Sequence, residues 1–262
     1  MIIIICEKPD AADRIAEALA ERNLKKKRSR YGISYYEFER KGQKHLAVSA
    51  VGHLFNLKQK SKGSDYPVFD ADWLPSFEVT KKSAFSARYF RTIEEIAKNY
   101  DGQLISATDY DNEGSVIAAN IIRFIFKQED ARRMKFSTLT RQDLIKSYNE
   151  MSPHLDFGNI ESGVARHYLD WMYGINTSRA LTLSIKKYSK RFTILSAGRV
   201  QAPTLVLLAD RETEIMKFVP KPYWQLQLTL LADGKEIIAI YEKDKIWDKE
   251  EAEKIFLACK DK

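Results

Sequence analysis

The chain opens on an unbroken apolar run, Ile2 to Cys6, which then gives way to Glu7-Lys8-Pro9-Asp10. A short β-branched run of this kind is a strand buried on both faces. Asp10 then stands where it can cap a helix whose Ala11, Ile15 and Leu19 share one face. Two strand-like segments lie around Tyr35 to Glu39 and Leu46 to Val51, and a polar loop runs from Gln59 to Tyr66. Between helix and strands, Lys25-Lys26-Lys27-Arg28 reads as a solvated turn. Phe90, Ile93, Ile96 and Ala97 recur at helical spacing within 87–100, and Gly102 breaks into the strand Leu104 to Ala107. A further helix from Glu113 carries Ile117, Ile121, Phe124 and Ile125 on its apolar face.

Strands alternating with helices over the first 140 or so residues predict an α/β domain, a mainly parallel sheet with helices on both faces. After Thr140 the period becomes helical, through Leu144, Ile145 and Tyr148, then 164–182 and 202–218, and Pro220 and Pro222 end the run. Residues 223–231 and 237–241 alternate as a hairpin about Asp233-Gly234. The expected organisation is therefore 1–141 as the sheet domain, 142–220 as part of a mainly helical domain, and 221–262 as the start of a strand-rich segment. Trp171, Tyr173, Phe192 and Trp224 fall at apolar-periodic places and read as packing residues.

Composition narrows the partner. The 262 residues carry a formal net charge of +7, a balance that favours an acidic polymer such as nucleic acid or an anionic surface. Two cysteines without partners at metal-ligand spacing lead to the expectation of a reducing compartment and of no zinc site within these residues. The apolar opening is too short to span a bilayer, so a cytoplasmic protein is expected.

The segment Ser106-Ala107-Thr108-Asp109-Tyr110-Asp111-Asn112-Glu113-Gly114 lies where a strand ends and a helix begins. In a parallel sheet that carboxyl edge is where ligands bind. Glu7 holds the matching place after the first strand and meets this segment if the two strands are neighbours. Carboxylates converging without His or Cys select a hard divalent ion, and Mg²⁺ is usual for phosphate chemistry. Lys8 is placed to meet a phosphate oxygen as a point charge. His53, near a strand end, reads as an ordinary hydrogen-bonding residue.

Glu7-Lys8-Pro9 together with Asp109-x-Asp111-x-Glu113-Gly114 resembles the Toprim domain of type IA DNA topoisomerases. Toprim domains also occur in primases, type II topoisomerases and nucleases, and further motifs decide between them. Val51-Gly52-His53-Leu54 is similar to the family's Gly-His element, and Arg133 to Thr140 looks like its Arg-x-x-Phe-Ser-x-x-Thr strand. Ala165-Arg166 through Asp170, Gly174 and Ser178 matches the helix that opens the next domain. Ser196-Ala197-Gly198-Arg199-Val200-Gln201, followed by Asp210-Arg211-Glu212-x-Glu214-Ile215, is the most specific match. Asn112, Ser115 and Thr138 depart from the common pattern, the first two in a way associated with archaeal members.

The resemblance implies ATP-independent breakage, strand passage and rejoining of one DNA strand through a phosphotyrosine link. It assigns Glu7 to proton handling at the leaving 3′-oxygen and to the metal set, and Lys8 to the scissile phosphate. Asp109, Asp111 and Glu113 complete the Mg²⁺ set, and Arg133, Arg166, Arg199 and Gln201 contact single-stranded DNA. None of the 13 tyrosines stands in the family's Pro-Arg-Thr-Asp-Ser-like context. The nucleophile is thus expected in the rest of a parent polypeptide acting on negatively supercoiled DNA. A Toprim nuclease or primase-like enzyme and a non-catalytic DNA-binding short paralogue stay open as alternatives.

Overall fold

The structure, a computed structural model, describes residues 1–99, 102–189 and 193–260. Phe192 and Tyr100 fall outside them. Strand β1 (Ile2–Cys6) is buried along its whole length and leads into helix α1 (Pro9–Leu19). The helix starts two residues earlier than Asp10 as a cap predicts: Lys8 is the cap position, Pro9 opens the first turn, and Asp10 lies inside it. Proline suits that place because its missing N–H would have no helical partner there.

Three antiparallel strands follow, β2 (Arg22–Arg28), β3 (Ser34–Arg40) and β4 (Gln43–Ser49). The hairpin between β3 and β4 turns on Lys41 and Gly42, both at positive φ, the geometry of a two-residue hairpin turn. The basic run expected as a turn is instead an edge strand. It is exposed throughout, and it is held by backbone pairing to β3, by Lys26 over the Tyr36 ring and by Lys27 against Glu37 at 2.9 Å. Repeated charge on an edge hides strand propensity from a hydrophobic pattern and discourages edge-to-edge association.

Strands β5 (Phe55–Gln59) and β6 (Ala71–Pro75) form a separate ribbon, followed by the short helix α2 (Ser76–Val79) and helix α3 (Ser86–Lys98). Strand β7 (Gln103–Ala107), helix α4 (Asn112–Phe124), strand β8 (Arg132–Arg133) and helix α5 (Arg141–Asn149) complete the layers. The sheet order is β2-β3-β4-β1-β7-β8, with β1 parallel to both β4 and β7, and β7 parallel to β8. A mainly parallel sheet covered on both faces is therefore observed.

Alternation along β1 builds the two cores. Ile2, Ile4 and Cys6 pack with Ala12, Ile15 and Leu19 of α1 and with Leu144 and Tyr148 of α5. Ile3 and Ile5 face Ile93 of α3, and Ile117 and Ile121 of α4. Burial pushes the Cys6 thiol well above its usual pKa, so it serves as a small core residue. Helix α5, inside the segment expected to be a helical domain, thus packs on the sheet.

The long helix α6 (Phe157–Ser189) contacts α4 closely through Gly163, where a Cβ would lie 2.5 Å from Val116 and 2.7 Å from the Asn112 carbonyl. Two compact units are distinguished, Met1–Ala202 and Pro203–Lys262. Helix α7 (Gln201–Lys217) begins at the end of the first. The second holds the hairpin β9 (Gln227–Ala232) and β10 (Lys235–Ile240), turning on Asp233-Gly234, and helix α8 (Lys249–Cys259), capped by Asp248. Helix α8 has no counterpart in the sequence reading. Trp171 and Trp224 are half-buried, whereas Tyr173, expected to pack, is exposed.

Candidate active site at the carboxyl edge of the sheet

The register pairs Cys6 with Ala107 on adjacent parallel strands, so the segments that follow them leave the sheet side by side. This brings Glu7 to Asp109, whose backbone N–H donates to Glu7 Oε2 at 3.4 Å. Lys8 Nζ lies 2.8 Å from Asp109 Oδ2 and 3.1 Å from Glu7 Oε1. The hydrogen bond that Lys8 donates to Asp109, reinforced by Glu7, pushes the Lys8 ammonium above its ordinary pKa and keeps it charged.

The loop between β7 and α4 is closed by its own polar groups. Asp111 Oδ1 accepts from the Gly114 N–H at 2.6 Å as the cap of α4, and Thr108 Oγ1 donates to the Gly114 carbonyl at 2.7 Å. A Cβ at position 114 would sit 2.3 Å from the Asp109 carbonyl oxygen, so the loop accepts only glycine there without moving.

Arg133 is placed beneath this loop rather than where a DNA strand could reach it. It is 1% exposed, and its guanidinium donates to Ser106 Oγ, Thr108 Oγ1 and the Thr108 and Asp109 carbonyls at 2.8–3.0 Å. Burial lowers its pKa, against the pull of Asp156, Asp111 and Asp109 nearby. The spacing of the motif located Arg133; only the strand β8 beside β7 shows that it props the loop. Tyr110 lies over Arg133 and Lys135 and donates to Asp156 at 2.8 Å.

Glu113 leaves the other carboxylates. Its Oε2 is shared by His53 Nε2 at 2.9 Å and His167 Nε2 at 3.0 Å, and Arg166 approaches Oε1 at 3.5 Å. Among the described residues, these two histidines and Glu113 form a metal-capable group whose ligand atoms lie within 4.8 Å of one another, and Glu7, Asp109 and Asp111 do not. Burial lowers the His53 pKa, helped by His167 and opposed by Glu113, and its Nδ1 is buried without a hydrogen-bond partner. His53 is therefore part of the site, and His167 was not singled out by its sequence context at all.

On α6, Asp170 joins the two arginines: Arg199 Nε is 2.6 Å from Oδ1 and Arg166 Nε 3.7 Å from Oδ2. The contact with Arg199 lowers the Asp170 pKa and raises that of Arg199. The segment bearing Arg199 is tied to α6 by Ser178 Oγ to the Ala197 N–H at 2.9 Å and Thr182 Oγ1 to the Leu195 N–H at 3.1 Å. Gln201 opens α7, and its Oε1 accepts from Ser196 at 3.3 Å. Arg166 and Arg199 stay half-exposed, and Gln201 is exposed.

A family model described as the Toprim domain matches residues 2–139, more than half of the chain. The chain belongs to the Toprim family. A second model, described as DNA topoisomerase, matches residues 154–262, and the order of the two is that of the N-terminal region of a type IA topoisomerase. This Toprim chain is 45% identical over 262 residues to DNA topoisomerase 1 of Pyrococcus horikoshii, covering 99% of this chain and 38% of the relative. It is 41% identical to DNA topoisomerase 1 of Methanocaldococcus jannaschii over 261 residues, 99% of this chain and 33% of the relative. The chain thus spans well under half the length of these curated relatives. Full-length topoisomerase I of Thermotoga maritima shares the fold, with a TM-score of 0.59 at 23% identity over 97% of this chain and 37% of that one. No helix among the described residues is long and apolar enough to cross a membrane.

Proposed function

We propose that this Toprim chain supplies the proton-handling, cation and strand-binding part of a type IA DNA topoisomerase, an enzyme that breaks and rejoins one DNA strand without ATP. The observation that carries the reading is the contact of Lys8 with both Glu7 and Asp109 at the carboxyl edge of β1 and β7. A phosphate received by Lys8 is within reach of Glu7, which then holds or gives a proton at the leaving 3′-oxygen. The ammonium opposes the negative charge that gathers on phosphate oxygens during transfer.

The donor set fits Mg²⁺. Glu7, Asp109 and Asp111 offer oxygen alone, and the Asp109 carboxylate is about half exposed. Bound there, the ion would supply charge neutralisation and orientation of the broken end. Glu113, expected in the same set, is engaged by His53, His167 and Arg166, which leaves the three others as the Mg²⁺ ligands of this reading. Arg166, Arg199 and Gln201 are the contacts for single-stranded DNA, because guanidinium groups fit phosphate bidentately. Arg133 positions the acidic loop.

No tyrosine here lies in the Pro-Arg-Thr-Asp-Ser-like context, and the nucleophile belongs to the rest of the parent polypeptide. The test is an incubation of supercoiled plasmid with the chain and Mg²⁺, quenched with detergent and protease. Single-strand binding without relaxed topoisomers, nicked circles or protein-linked DNA is expected. A ladder of closed relaxed topoisomers would place the chemistry on a tyrosine of this chain and overturn the division of labour. Nicked circles without linked protein would make it a metal-dependent nuclease.

A further inference from the structure

His53, Glu113 and His167 are contributed by three segments far apart in sequence: the loop after β4, the first turn of α4 and the first half of α6. Both imidazole Nε2 atoms address the same oxygen, Glu113 Oε2, at 2.9 and 3.0 Å. The two rings stand edge to face with centroids 4.7 Å apart, and the Trp73 ring centroid lies 5.4 Å from that of His167. Both histidine side chains are only about a fifth exposed, at 23% and 21%. The second oxygen of Glu113 is approached by Arg166, itself paired to Asp170, which fixes the plane of the carboxylate.

We propose that His53, Glu113 and His167 form a second metal site, one for a borderline dication of the Zn²⁺ class, separate in chemistry from the oxygen-only loop assigned to Mg²⁺. Two imidazoles and one carboxylate make the donor set of three-ligand zinc sites, which leave a fourth position for water or an oxyanion. Hard Mg²⁺ is poorly served by two nitrogens, whereas the later first-row dications prefer them. A tetrahedral ion with bonds of about 2.0–2.1 Å holds its ligand atoms roughly 3.3 Å apart. The three atoms here already lie within 4.8 Å of one another, so closing the shell needs a contraction of at most about 1.5 Å. The ion would take the place of the protons that now bridge nitrogen and carboxylate. It would also tie the loop after β4 and helix α6 to the first turn of α4, fixing the helix that carries Arg166 and Asp170 against the acidic loop.

Cysteine counting gave no hint of such a site, because none of its ligands is a cysteine and no two are near in sequence. The His53, Glu113 and His167 site does not depend on the chain's being part of a topoisomerase.

The test is a titration of the metal-stripped 262-residue chain with Co²⁺, followed by visible absorption and equilibrium dialysis. The expected result is one Co²⁺ per chain, with the intense visible bands of a four- or five-coordinate ion, displaced by Zn²⁺ and not by excess Mg²⁺. His53→Ala and His167→Ala should each lower the affinity by more than about tenfold, since loss of even an outer-shell partner costs that much. The pair Asp109→Asn with Asp111→Asn should leave the bands unchanged. Absence of the bands, their survival in both histidine variants, or their loss in the aspartate pair would each overturn the site. Should the histidine variants fail to fold, X-ray absorption of the wild-type Zn²⁺ complex decides. Two imidazoles in the shell are expected, and an all-oxygen or thiolate shell would refute it. The chain has only two other histidines, His45 and His154, engaged with Tyr148 and Asp130.

Discussion

Lys8 and Asp109 meet at 2.8 Å across 101 residues of sequence, on neighbouring strand ends, with the lysine also reaching Glu7. The ammonium therefore competes with any dication for the same carboxylates. Lys8→Met should tighten Mg²⁺ binding by about twofold to fivefold, the range set by a half-exposed ion pair. Asp109→Asn with Asp111→Asn should abolish it. Calorimetric titration of the three proteins checks both outcomes; weaker Mg²⁺ binding in Lys8→Met would show that lysine and ion do not share a site. Asn at 111 keeps the cap of α4, so loss of Mg²⁺ in that variant reports charge and not unfolding.

Arg133 satisfies two hydroxyls and two carbonyls beneath the acidic loop. Arg133→Met removes the guanidinium donor from all four of these acceptors, most of them buried. A loss of about 2–4 kcal/mol is expected in urea unfolding, together with weaker Mg²⁺ binding. A change below about 1 kcal/mol would mean that the guanidinium is not what holds the loop.

Asp170 restrains both Arg166 and Arg199. If these arginines contact single-stranded DNA, Arg199→Ala weakens binding across sequences and reduces the salt slope by about 0.7. Asp170→Asn should do the opposite for affinity, by removing a like charge to phosphate and freeing both guanidiniums. Fluorescence anisotropy of a labelled oligonucleotide over a range of salt measures both, and unchanged binding in the two variants would remove this face from the DNA path.

His45 is buried between the Gln43 carbonyl, 2.9 Å from Nδ1, and the Tyr148 hydroxyl, 2.6 Å from Nε2. A carbonyl only accepts, so Nδ1 carries the proton and Nε2 accepts from tyrosine. Burial holds the His45 pKa below its ordinary value, with Arg40 adding to the effect. The unfolded chain therefore binds this proton first, near pH 6.5. The contribution of His45 is complete above that pH and is lost as pH falls from about 6.5 toward the lower folded value. Thermal unfolding between pH 7.5 and 5.5 should show this decline in the wild type, and His45→Phe should make it shallower, leaving the share of His53, whose pKa burial also lowers. Equal slopes would place the dependence elsewhere.

What the sequence determined by itself was set by local period and fixed spacing. The buried β1, the amphipathic α1, α3 and α4, the Asp233-Gly234 hairpin and the acidic turn before α4 each follow from residues within a dozen positions of one another. The need for glycine at 114 does not follow from the cap; it comes from the Asp109 carbonyl oxygen, 2.3 Å from where a Cβ would lie. Strand β2 is not legible in the sequence because its seven residues are all exposed, so no hydrophobic alternation marks them, and pairing to β3 decides their conformation. The tertiary structure alone decided what faces what. A parallel register between β1 and β7 delivers Glu7 to Asp109, and the close approach of α4 and α6 at Gly163 turns Glu113 toward His53 and His167. Arg133 looks in sequence like any cation near a site, and only burial beneath the loop separates a prop from a contact. Such relations depend on long-range packing, in which side chains distant in sequence share one small volume, and no spacing along the chain encodes the distance between them.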